Sequence, residues 1–154
     1  MKGLPSSEVL MGVILGIEST AHTFSFGGVY TNGETISSSS ALFRPEQGGI
    51  HPREAADHHS VLSGNLFKEF MTKNQIPVNQ IDAVAFSQGP GLGPCLRVGA
   101  SVARSLADKI GKPLIGVNHC VAHIEIGRLQ TGCHDPVLLY VSGGNTQVIA
   151  RNGN

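Results

Sequence analysis

The chain has 154 residues, with eleven Lys+Arg against eleven Asp+Glu and a formal net charge of zero, a size that fits one domain or little more. Charged residues make up 14% and hydrophobic ones 40%, which excludes a disordered chain and a strongly basic nucleic-acid module while leaving enough apolar side chains for a core. With 20 glycines and no tryptophan, the composition points to a tightly turned α/β scaffold whose backbone approaches a ligand, and away from a helical bundle.

In chain order, residues 12–17 form a continuous apolar run of strand length, ending in the polar turn Glu18-Ser19-Thr20-Ala21-His22. Two Thr-, Ser- and Val-containing runs, 23–30 and 34–43, flank Thr31-Asn32-Gly33 and predict a hairpin. A Gly48-Gly49 loop precedes Pro52, which opens a helix over 52–73 with Ala55, Leu62, Leu66, Phe67, Phe70 and Met71 at helical spacing. A buried strand is expected over 82–86, then a Gly/Pro-rich turn. A helix follows over 94–110, with Leu96, Val98, Val102, Leu106 and Ile110 as its apolar face and Gly111 as its stop. A strand over 114–117, a helix over 118–129, and a strand–turn–strand over 137–150 complete the pattern.

The last unit repeats the layout of the first: an apolar strand, a small polar turn (Ser142-Gly143-Gly144 against Glu18-Ser19-Thr20), then a Thr-containing strand. Two such hairpins separated by three helices are the layout of a duplicated actin-like (RNase H-like) fold, in which the hairpins grip phosphates. Chance likeness of two buried strands is the other explanation of the pattern.

His119 and His123, four residues apart, share one helix face and can converge on one metal ion. The same spacing also suits two hydrogen-bonded helix histidines. The metalloprotease motif with this spacing has Glu after the first His, and Cys120 stands there instead. The glycines after Ser142 let backbone N–H groups approach phosphate oxygens or simply form a hairpin turn. Residues 89–94 precede a helix N-terminus and read either as an anion site or as a tight strand-to-helix connection. Glu18, Thr20 and His22 occupy the first turn; for His51, His58 and His59, solvated or capping roles are expected, and for Cys95 and Cys133 packing or surface thiols.

Three cysteines without a CxxC pair suit a reducing compartment, and the apolar run 9–17 is far shorter than the ~20 residues of a membrane span. A cytoplasmic protein with no membrane association is expected. Residues 1–10 differ in character from the rest of the chain, and Met11 opens the first strand, so an added or disordered leader is expected there.

Five segments, taken in order, resemble one family: Gly16-Ile17-Glu18-Ser19-Thr20-Ala21-His22-Thr23, Gly48-Gly49-Ile50-His51-Pro52-Arg53-Glu54-Ala55-Ala56, Phe86-Ser87-Gln88-Gly89-Pro90-Gly91-Leu92-Gly93-Pro94-Cys95-Leu96-Arg97, Asn118-His119-Cys120-Val121-Ala122-His123, and Tyr140 through Gln147. It is the universal tRNA threonylcarbamoyladenosine-modification family, formerly labelled O-sialoglycoprotein endopeptidase. The wording is closer to the archaeal and eukaryotic branch, the catalytic subunit of the KEOPS complex. The resemblance spans residues 12–150.

It implies an α/β actin-like ATPase (ASKHA) fold, with residues 11–135 as the N-terminal subdomain and 136–154 as the start of a second. The implied reaction moves threonylcarbamoyl from its adenylate to the adenosine beside the anticodon of ANN-decoding tRNAs, with no catalytic side chain assigned. His119, His123 and Tyr140 are the implied ligands of one divalent metal (iron first, then zinc or magnesium), joined by an Asp near the family's C-terminal end. Tyr140, Val141, Ser142, Gly143 and Gly144 are the implied contacts to ATP or threonylcarbamoyl-adenylate.

The implied partners are tRNA, a small atypical kinase/ATPase subunit, and a small dimer-forming KEOPS subunit on the helices 52–73 and 94–110. Ala56, Val61, Phe67, Ala100, Val102 and Ala103 are the candidate residues for that last contact. A chain of this extent is expected to be the N-terminal half and inactive alone. A non-catalytic docking module is the alternative, and Cys120 disfavours a metallopeptidase.

Overall fold

Val13, Leu15 and Ile17 are buried and alternate with half-buried Ile14, Gly16 and Glu18, so β1 (Val13–Glu18) covers a core with one face only. This is read from a computed structural model describing residues 11–45, 47–142 and 145–150; the leader expected over 1–10 lies outside them. β2 (Thr23–Tyr30) runs antiparallel to β1 and pairs with β3 (Thr35–Leu42) across the expected Asn32-Gly33 turn, where Gly33 takes φ +94°. β4 (Ile81–Gly89) and β5 (Leu114–Asn118) add in parallel, giving one five-stranded sheet ordered β3-β2-β1-β4-β5.

β4 is longer than the apolar pattern indicates. It continues through Ser87, paired with Val117, to Gly89, paired with Asn118. Its last residues are polar because they leave the core while keeping the ladder, which brings Ser87 level with the end of β1.

Helices α1 (Pro52–Lys73) and α2 (Gly93–Ile110) pack side by side on the core face. Leu66 and Phe70 of α1 join Ala103 and Ala107 of α2 against Leu15, Phe24 and Phe26. Burying a side chain the size of Phe26 or Phe70 contributes roughly 1.5–3 kcal/mol. The expected apolar face of α2 meets the core, with Val98, Val102, Leu106 and Ile110 half-buried against it, and the fully buried residues beside it are Cys95, Gly99, Ala103 and Ala107. Small residues every fourth position let the helix axis approach its neighbours, and a Cβ on Gly99 would lie 2.8 Å from Ser19 Cβ.

The same packing corrects the proposed docking face. Ala56 and Ala103 are buried, and Phe67 and Val102 pack against the protein's own core, leaving Val61 as the large exposed apolar residue of α1.

α3 (His119–Thr131) starts where β5 ends. The Asn118 side chain accepts from the amides of Cys120 and Val121 at 2.9 and 3.2 Å, and Gly132 closes the helix in the left-handed conformation. No residue of α3 is buried. β6 (Leu138–Ser142) and β7 (Asn145–Ile149) form a separate antiparallel ribbon, with Leu139 opposite Val148 and both exposed.

Candidate functional site

The turn after β1 is built from short side chains that its neighbours hold in place. The Ser19 hydroxyl donates to the Cys95 carbonyl at 2.8 Å, and the Leu92 amide donates to the Thr20 carbonyl at 2.7 Å. His59 Nε2 donates to the Ala21 carbonyl at 2.9 Å. Gly91 lies so close that a Cβ there would be 2.5 Å from the Thr20 carbonyl oxygen, which is why the β4–α2 loop is glycine-rich at this point. The loop's packing against Thr20 favours the tight-connection reading of residues 89–94.

His59 corrects the solvated or capping role expected of it: it is fully buried, tilted against Phe24 with ring centroids 5.6 Å apart. Burial lowers its pKa, the bond to Ala21 opposes that shift, and nearby His58 and His22 push it down further. With Nε2–H given to Ala21, its Nδ1 is free to accept from His58 Nδ1 at 3.3 Å. His51 stays exposed and makes no side-chain cap. Cys95 is buried, its thiol pKa raised by desolvation, while Cys133 is exposed.

Glu18 alternates with core-facing Ile17 and so turns to the opposite side of the sheet. Its Oε1 accepts from the Thr20 amide at 2.8 Å and from the Thr20 hydroxyl, and Oε2 accepts from the Ser87 hydroxyl. The same Oε2 lies 3.4 Å from His119 Nδ1. The other nitrogen of that ring, Nε2, is 3.2 Å from His123 Nε2, and the His123 ring stands edge-on to Tyr140 with centroids 5.6 Å apart. The structure therefore brings together Glu18, His119, His123 and Tyr140 from β1, α3 and β6. Partial burial lowers the pKa of His123, His119 adds to that shift and Glu18 opposes it.

The two imidazoles fit one metal ion. Bonds of about 2.0–2.1 Å at tetrahedral angles would set two nitrogens about 3.4 Å apart, close to the separation observed. Among the described residues no three His, Cys, Asp or Glu surround a point, so the donor set found here is two imidazoles with a phenol-bearing ring beside them. Glu125 is turned away and pairs with Arg128 at 2.9 Å. Val141 is exposed. Gly143 and Gly144, and the side chain of Ser142, lie outside the described residues. His22 is exposed and takes no part. Sequence reasoning singled out Glu18 without a partner and passed over Ser87; nothing local signals that pairing, because the β1–β4 and β4–β5 registers create it.

A family model described as "TsaD: tRNA N6-adenosine threonylcarbamoyltransferase" matches residues 33–154. The tRNA N6-adenosine threonylcarbamoyltransferase of Caldivirga maquilingensis is 56% identical over 142 residues, covering 92% of this chain and 43% of the relative. The protein of that name from Archaeoglobus fulgidus gives the same identity and coverage. A Methanocaldococcus jannaschii protein named "Probable bifunctional tRNA threonylcarbamoyladenosine biosynthesis protein" is 54% identical over 138 residues, 90% of this chain and 25% of its own length. The chain thus spans less than half the length of these relatives.

Among solved structures, YeaZ from Pseudomonas aeruginosa matches with a TM-score of 0.62 at 14% identity, over 90% of this chain and 64% of that one. The Aquifex aeolicus member of the Ppx/GppA family matches at 0.50 and 8% identity, over 93% of this chain and 48% of its own. These likenesses concern the fold alone, and they place the sheet and its helices in the expected actin-like, RNase H-like class.

Proposed function

The chain belongs to the tRNA N6-adenosine threonylcarbamoyltransferase family, and on that premise we propose that it forms the N-terminal, metal-holding part of an enzyme modifying the adenosine beside the anticodon of ANN-decoding tRNAs. In this reading the adenosine N6 amine attacks the carbamoyl carbonyl of threonylcarbamoyl-adenylate, the new N–C bond forms, and AMP leaves. The adenylate is already activated, so no side-chain nucleophile is required.

The observation that carries the reading is the pair of imidazole Nε2 atoms 3.2 Å apart beside Tyr140. His119, His123 and Tyr140 would hold a divalent metal, which when bound supplies a Lewis acid that polarises a carbonyl or orients phosphate. Imidazole donors suit iron or zinc better than magnesium. Tyr140 through Gly144 would bind the nucleotide portion of the adenylate. The clamped turn at Ser19–Ala21 keeps Glu18, and through it the head of α3, in a constant place while substrate enters.

Residues 11–135 are proposed as one actin-like subdomain and 136–154 as the start of its counterpart. The name of the bifunctional relative suits work within a complex, which we propose to be of the KEOPS type, with tRNA, a small kinase/ATPase subunit and a small dimer-forming subunit as partners. Val61 and half-buried Ala100 remain for the last of these, since Ala56 and Ala103 are taken up by the core. Three free cysteines are in keeping with the cytoplasm, and no helix among the described residues is long and apolar enough to cross a membrane.

The test combines two measurements. Incubated with threonylcarbamoyl-adenylate and unmodified tRNA, a protein of the relatives' full length carrying these residues should form the modified nucleoside, and the 154-residue chain should not; multiple turnover by the chain alone would overturn its inactivity. In calorimetric titration with iron(II) or zinc, His119→Ala and His123→Ala should each abolish binding, and unchanged binding in both would remove the site.

A further inference from the structure

We infer that Glu18 is a positioning residue for the metal-facing imidazole: its carboxylate keeps the proton of His119 on Nδ1 and so aims the Nε2 lone pair at the point shared with His123. The inference rests on the metal reading above and names a residue to which neither the family motif nor the donor geometry gives a role.

Three observations carry it. First, the contact is directional: Oε2 stands 3.4 Å from His119 Nδ1, while Nε2 on the far side of that ring faces His123 at 3.2 Å. At 3.4 Å the contact is longer than a formed N–H···O bond, yet an anion beside one ring nitrogen favours the tautomer with its proton there. A neutral ring protonated on Nδ1 has its only free lone pair on Nε2, and a carboxylate behind a metal-binding histidine raises that nitrogen's basicity.

Second, the carboxylate has little freedom to leave. Thr20 holds Oε1 by its amide and hydroxyl, and Ser87 holds Oε2. The turn that carries Thr20 is fixed in turn by Leu92, Cys95 and His59. A residue needed only to close its own turn would require the Thr20 contacts alone; the Ser87 bond adds a second strand and orients the oxygen nearest His119. Third, the His119 side chain is only 17% exposed and that of Glu18 31%, so bulk water screens their interaction incompletely.

The two histidines are therefore unequal before any metal arrives. With His119 Nε2 as acceptor, the 3.2 Å contact makes His123 the Nε2–H donor. His119 stands ready to bind, and His123 must shift its proton to Nδ1 before its own Nε2 can bind.

The experiment uses the 154-residue chain and its Glu18→Gln variant, in which a near-isosteric amide can present N–H to His119 Nδ1. Long-range ¹⁵N–¹H NMR of the metal-free protein should show His119 as the Nδ1–H tautomer in the wild type, and as Nε2–H in the variant. Zinc titration of the same samples should show affinity falling by about 10–100-fold, the usual effect of removing such an outer partner. Ser87→Ala, which frees Oε2 but retains the charge, should lose less.

A wild-type ring protonated on Nε2, or a tautomer and affinity unchanged in Glu18→Gln, would overturn the role of Glu18. If the variant does not fold, the wild-type tautomer and the Ser87→Ala titration still decide. A wild-type chain that keeps Nδ1–H but binds neither zinc nor iron(II) would instead overturn the metal reading on which the role depends.

Discussion

The two sides of the histidine pair are built very differently. On the β1 side, the turn Ser19–Ala21 is held by α1, by α2 and by the β4–α2 loop, and Ser19 and Thr20 are buried. On the side of α3 and the β6–β7 ribbon no helix residue is buried, and Val121, Ile126, Leu129, Leu139 and Val148 are all exposed. The comparison teaches which side of the pair this 154-residue chain fixes with its own core. Glu18 is placed by a finished core, whereas the donors on α3 and β6 are placed by local helix and ribbon geometry with little tertiary burial behind them. A two-stranded ribbon of this kind is at best marginal by itself. The proposed metal ligands should be ordered by what they touch (Glu18 and each other) more than by what packs underneath.

The sharpest way to break that comparison is to remove packing from each side in turn. Phe70→Ala empties a fully buried ring position against Phe26 and should cost about 3–5 kcal/mol. Val121→Ala on exposed α3 should change stability by less than about 0.5 kcal/mol. Chemical denaturation followed by circular dichroism measures both, and comparable losses would mean that α3 is as deeply supported as the sheet.

A smaller effect is expected from Gly91→Ala. Its Cβ would meet the Thr20 carbonyl oxygen at 2.5 Å and Cα at 3.0 Å, both backbone atoms that cannot swing aside. The overpacking should cost about 1–3 kcal/mol. Because the strain falls on the turn that fixes Glu18, zinc affinity should fall together with the melting temperature. Stability lost with metal affinity intact would show that the clamp does not reach the histidines.

The smallest expected effect is a pH dependence of stability. His59 has a folded-state pKa below its ordinary value near 6.5, so the unfolded chain takes up its proton first as pH falls. Its contribution is complete above the unfolded value, declines below about pH 6.5, and levels off once the folded ring is protonated too. His59→Phe should lower stability at neutral pH through loss of the Ala21 bond, yet weaken less steeply between pH 7 and pH 5.5. Parallel melting-temperature curves for the two proteins would assign the acid sensitivity to other groups.

How much of this was legible depended on distance along the chain. The Asn32-Gly33 hairpin, the Pro52 helix start, the Gly111 stop and the shared face of His119 and His123 all arise from contacts within a few residues, and periodicity and turn chemistry reveal those. The apolar face of α2 was legible, since Val98, Val102, Leu106 and Ile110 do pack against the core, but the small residues buried deepest were not. The helix buries Cys95, Gly99, Ala103 and Ala107, since close approach to Ser19 and α1 leaves no room for more. The same close approach draws Ala56 and Ala103 into the core and away from any partner.

By its local pattern and motif order, the amino-acid sequence determined the element types, the α/β class, the family and the two imidazoles that face one point. Tertiary structure alone decided that β4 continues to Gly89, that His59 is buried against Phe24, and that Glu18 meets Ser87 across 69 residues and His119 across the sheet. Spacing within a helix is set by its own backbone hydrogen bonds and can be counted. A carboxylate's partner on another strand is set by register, pleat and the packing of two helices on the far face, none of which is written at either residue.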